Sequence, residues 1–168
     1  MKIRPLDTEN IDHVIGNLWN RGRLELDKWG ISLEELKDRF SSMIGNPWTF
    51  VFCDDYEPCA LCFLVPIGPM KWRTCFAATE SGFQKIWLPM SLFMTRLSDS
   101  LVADGGYIEC ISGTPDAREW FESMGFKLDF SNDVIDKYEK SGKINHAIGH
   151  GSEIERGTVL CADPDPMP

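Results

Sequence analysis

The chain has 168 residues, 43% of them apolar and 26% charged, which is the size and make-up of one globular domain with a full hydrophobic core. Seventeen basic residues are scattered among 26 acidic ones for a net charge of −9, which argues against nucleic-acid binding through a basic face. No apolar run approaches about 18 residues and "MKIRPLDTEN" carries no signal-peptide core, so neither a membrane span nor secretion is expected.

"MKIRPL" alternates and reads as a first strand. Asp7 or Thr8 caps the helix that follows, with Ile11, Val14, Ile15 and Leu18 as its buried stripe. "NRGRLELDKWG" then reads as a loop flanked by Trp19 and Trp29, which either wall a cleft or anchor a protein partner. "GISLEELKDRFSSMIG" is a second helix opened by a capping box, Ser32 with Glu35. Strands are predicted over 48–53, 59–65 and 72–79, with "DDYEP" joining the first two and "PIGPM" breaking the next.

Phe83, Ile86, Trp87, Met90, Met94, Leu97 and Leu101 hold helical spacing over 83–103. Pro89 lies inside that stretch and is tolerated in a first turn, so the regular helix is expected to begin there. "GGYIECIS" reads as a strand, "PDAREWFESM" as a helix and "FKLDF" as a strand. Residues 131–156 are polar and glycine-punctuated and read as loop-rich, "GTVLCA" as a last strand, and 163–168 as a frayed tail after a single domain over 1–162. This order predicts an α/β fold, a mixed sheet with helices on both faces.

Six cysteines, most in apolar β-like runs, read as reduced core thiols. Cys59 and Cys62 have zinc-like spacing, but residues three apart on a strand point to opposite faces. His146 and His150 sit beside two glycines, which favours a solvated loop over a helical metal pair. No metal site is expected.

The order of elements, with "WFESMGFKL" in its place, resembles the GNAT superfamily of acyl-CoA-dependent N-acetyltransferases over about residues 1–130. In that family a turn of pattern Gln/Arg-x-x-Gly-x-Gly/Ala opens the long helix, and its amides hold the cofactor's pyrophosphate, as unpaired N–H groups at a helix start can. Counting back from Asp104 places the turn on "QKIWLP", where Gln84 is kept and Trp87 and Pro89 replace the glycines. The family's late helix carries Asn-x-x-Ala, a tyrosine that commonly protonates the departing thiolate, then Gly-Phe. Ala117, Gly125 and Phe126 match, while Thr114 and Phe121 stand at the asparagine and tyrosine positions.

These departures predict a degenerate cleft, with no catalytic residue and no cofactor. The chain is also similar to the GNAT-like proteins that short-tailed bacteriophages carry as internal virion proteins. The expected function is therefore a non-catalytic structural protein of a phage particle, in the virion or the bacterial host cytoplasm, working by contact with virion components or further copies of itself. The alternative is a divergent acetyl-CoA-dependent N-acetyltransferase, with Gln84 and the amides around it holding coenzyme A and Glu80 or a bound water as base. A small-ligand or regulatory module reusing the cleft is a third reading.

Overall fold

The apolar runs of the chain's middle third become the centre of a seven-stranded sheet in the computed structural model, which describes residues 1–114 and 117–142. Strands β2 (Thr49–Asp54), β3 (Glu57–Gly68) and β4 (Lys71–Ala78) form an antiparallel meander, and β1 (Lys2–Arg4) adds to the outer edge of β2. β3 is buried from Cys59 to Val65 because helices cover both its faces, so its sequence is a continuous apolar run rather than an alternation. It continues through Pro66 to Gly68, past the break expected at "PIGPM", with a register shift absorbing the proline.

Helix α1 (Thr8–Gly16) is capped by Asp7, whose carboxylate accepts the Asn10 N–H at 2.8 Å. Helix α3 (Leu33–Ser42) is capped by Ser32, which accepts the Glu35 N–H at 3.0 Å. Both caps follow the sequence reading. Between them, the stretch expected to be a loop is helix α2 (Asn20–Trp29), ended by Gly30 at φ 68°. Its arginines, leucines, glutamate and lysine are good helix formers, and a left-handed glycine stops it cleanly.

Helix α4 (Glu80–Ala103) starts nine residues before Pro89, earlier than predicted. Thr79 is extended, and its hydroxyl accepts the Gly82 N–H at 3.1 Å. Gly82 lets the helix start lie directly on β3, since a Cβ there would come within 2.8 Å of the Cys59 backbone. Pro89 falls on an exposed face, where the carbonyl that loses its helical donor can turn to water.

The α4 crossover makes β5 (Tyr107–Ser112) parallel to β4, as the order of elements predicted. Helix α5 (Ala117–Ser123) leads to β6 (Lys127–Ser131), and β7 (Asp136–Ser141) inserts between β5 and β6. The loop-rich expectation for 131–156 therefore fails at β7. Its sequence "DKYEKS" buries only Tyr138, and its lysines are held by Asp129 and Asp99 at 2.7 Å each. His146, His150, Cys161, "GTVLCA" and the tail lie outside the described residues, as does Pro115.

All five described cysteines are buried thiols. Burial pushes the Cys62 thiol up, the Cys110 thiol up to about 12, and the Tyr107 and Tyr138 phenols up to about 12. The sign follows directly. Above about pH 9 the unfolded chain releases these protons while the fold retains them, so stability is complete below that pH and falls as pH rises toward about 12. The melting temperature is expected to hold steady up to about pH 9 and drop beyond it, which a series of thermal melts checks.

Candidate active site

β4 and β5 run in register over only three pairs, Lys71–Tyr107, Trp72–Ile108 and Arg73–Glu109. Beyond Arg73 they part. β5 stays bonded to β7 along its whole length and β4 stays bonded to β3, so each strand follows its other neighbour. The last link across the gap is the Thr74 hydroxyl, donating to the Glu109 carbonyl at 3.5 Å.

The parted ends enclose a cavity of about 100 Å³, lined by Cys75 and Phe76 from β4, Cys110 and Ser112 from β5, Phe121 from α5 and Glu25 from α2. It meets a wider and more polar cavity of about 450 Å³ at the start of α4, lined by Trp19, Asn20, Arg21, Glu80, Gln84 and Thr114. Trp19, Arg21 and Thr114 border both, so the two form one cleft.

One wall is aromatic. Trp19 lies 4.8 Å from Phe83, and Trp120 lies 5.5 Å from Phe76, between ring centroids. The Trp120 indole donates to Ser91 Oγ at 2.7 Å, which fixes its ring. The Trp19 N–H donates to the Ala78 carbonyl at 2.9 Å and closes the far end of β4.

The opposite wall is polar and centred on Glu25. Its Oε1 accepts from the Ser112 hydroxyl at 2.6 Å, the Gly113 N–H at 2.8 Å and the Thr114 hydroxyl at 3.3 Å. Lys28 donates to the Gly113 carbonyl at 3.1 Å, so α2 grips the β5–α5 turn at two points. Gly113 makes that approach possible, because a Cβ there would meet the Trp29 ring at 3.1 Å.

The donor set at the mouth suits a phosphate group. The first intrahelical bond of α4 is Phe83 N–H to the Thr79 carbonyl, and Gly82 is taken by the cap. That leaves the Glu80 and Ser81 amides at a positive dipole end, beside Arg21, Asn20 and Gln84. The apolar gap between β4 and β5 suits an acyl arm.

The sequence-predicted residues divide into three groups. Glu80, Gln84 and Thr114 come together around the outer cavity, and Phe121 borders the inner one. Trp87 and Pro89 are exposed on α4 and border neither. The turn expected on "QKIWLP" is not where α4 begins: the helix opens at Glu80, more than a turn upstream, so the indole does not lie at the helix start. Trp19 and Trp29 both wall the inner cavity. The sequence reading missed Glu25, Ser112 and Arg21.

No family model and no curated protein matches the chain. Solved structures do. A GNAT-superfamily phosphinothricin acetyltransferase from Sinorhizobium meliloti, in complex with AcCoA, superposes with TM-score 0.61 at 12% identity, over 94% of this chain and 97% of that one. Spermidine N-acetyltransferase from Vibrio cholerae, in complex with CoA and spermine, gives 0.57 at 15%, over 83% and 94%. Aminoglycoside 6'-acetyltransferase type Ii gives 0.56 at 17%, over 84% and 97%. The fold is that of the GNAT-superfamily acetyltransferases.

These likenesses correct two expectations. A structural protein that takes no cofactor is the wrong reading of the fold, because the structures that share it are acetyltransferases, two of them crystallised with AcCoA or CoA. The resemblance to bacteriophage virion proteins receives no support from them.

Proposed function

We propose that this chain is an acetyl-CoA-dependent N-acetyltransferase. One observation carries the reading: two parallel strands that part after three registered pairs, around a cleft that opens at the start of the crossover helix. A parted pair of strands offers unpaired backbone edges to an extended ligand, and a helix start offers amides to its phosphates. The same fold in acetyltransferases supports the assignment.

The Glu80 and Ser81 amides, Arg21 and Gln84 would hold the pyrophosphate, and the Cys75–Phe76 edge of β4 would border the acyl arm. When bound, acetyl-CoA supplies a thioester whose acetyl carbon passes to an amine nitrogen, with coenzyme A leaving as the thiol and one proton released from the ammonium. Phe121 offers no hydroxyl for proton transfer. Tyr138 stacks behind it at 4.7 Å and borders neither cavity. Among the described residues, Glu25 is the one carboxylate lining the inner cavity, while Glu80 stays at the mouth.

Calorimetric titration with acetyl-CoA tests the assignment, and micromolar binding is expected. Trp87→Gly should leave that affinity within about twofold, because the indole lies off the cleft. Arg21→Ala should weaken it by about one to two decades, the worth of a charge-assisted hydrogen bond. No heat at millimolar acetyl-CoA would sink the transferase.

A further inference from the structure

We propose that Glu25 is the residue that receives the acceptor, and that the acceptor is a small primary amine, cationic at neutral pH, on an aromatic or apolar body. The inference deepens the proposed function and rests on that reading only for the group transferred.

All three hydrogen bonds to Glu25 end on Oε1. Oε2 has no partner among the described residues, and Glu25 has no interaction beyond those three. Among the described residues no buried side-chain oxygen lacks a partner, so Oε2 reaches open space, and Glu25 lines the inner cavity. The carboxylate is thus fixed by one oxygen and presents the other.

Its surroundings select what that oxygen takes. The cavity wall is mostly apolar and includes the rings of Trp19, Trp29 and Trp120. A carboxylate in such a setting gains most from a cation that brings its own hydrogen-bond donors. Indole faces favour an ammonium as well. Arg21 lies one turn away on α2, with its guanidinium 5.4 Å from the Trp19 ring centre.

The inner cavity measures about 100 Å³ and opens into the wider one of about 450 Å³, so a compact amine can reach it. The fixed position matters too. Glu25 is tied to the turn that follows β5, so an amine held on it lies beside the parted strands where the acyl arm would run.

The test uses 2-phenylethylamine and its neutral counterpart 2-phenylethanol, followed by quenching of tryptophan fluorescence and by calorimetry. The unaltered protein is expected to bind the amine at least about tenfold more tightly than the alcohol. Glu25→Gln keeps an oxygen for Ser112 and Gly113 and removes the charge. It should bring the amine down to the alcohol's level while leaving acetyl-CoA affinity within about twofold.

Equal binding of amine and alcohol by the unaltered protein, or no amine binding at millimolar, would overturn the assignment whatever the variant does. So would full amine binding by Glu25→Gln. The two readings separate cleanly. Acetyl-CoA binding without amine selectivity sinks the role of Glu25 alone, and amine selectivity without acetyl-CoA binding sinks the transferase and keeps the amine site.

Discussion

Phe121→Ala is expected to lower the stability of the fold by about 3–5 kcal/mol, the range for emptying a phenylalanine site in a packed core. Phe121 is 8% exposed on α5 and packs at a tilt against Tyr138 at 4.7 Å and Trp120 at 5.2 Å, and edge-on against Phe126 at 6.0 Å, between ring centroids. Those neighbours come from the same helix, from the turn after it and from strand β7, so they cannot collapse together into the space. Denaturant unfolding measures the loss. Phe121→Tyr keeps the ring and should cost under about 1.5 kcal/mol. An unchanged midpoint for the alanine variant would mean that α5 is not docked on β7.

Local chemistry made part of the fold readable from the sequence. Asp7 and Ser32 cap the helices they were expected to cap, because a side-chain oxygen three residues before a free N–H needs no tertiary partner. The parallel pairing of β4 with β5 was readable from chain order alone, since a crossover helix imposes it. Helix α2 was not. It buries only Leu26 and so shows almost no apolar stripe. Strand β7 was hidden for a similar reason, with Tyr138 its one buried residue and its two lysines held by Asp129 and Asp99.

The start of α4 was misjudged because Pro89 is the louder signal. Thr79, three residues before a glycine amide, is the quieter and decisive one. That shift of nine residues, from Pro89 to Glu80, is what the proposed function turns on. It takes Trp87 away from the helix start and leaves Gln84 lining the cavity there. Glu25 lay beyond sequence reading altogether, since its partners are 87 to 89 residues away along the chain.

Where β4 and β5 begin to part, the last registered pair is Arg73 and Glu109, and their side chains are joined as an ion pair. Glu109 is 5% exposed, and its second oxygen lies 3.8 Å from Lys137. Glu109→Ala is expected to cost about 3–5 kcal/mol, because it strands Arg73 in a poorly hydrated place, while Lys137 keeps Asp129 at 2.7 Å. Both cations keep some access to water, at 19% and 24% side-chain exposure, which puts the result near the lower end. Arg73→Ala should cost less, since Glu109 retains Lys137. In the double variant the losses should fall short of their sum by about 0.5–3 kcal/mol, the coupling expected of residues in contact. The pair also fixes where the cleft begins. Losing it should let the parting creep toward Trp72 and Ile108, and acetyl-CoA affinity should fall by more than the stability loss explains when measured well below the melting temperature. Additive losses with unchanged affinity would show that backbone pairing alone sets the fork.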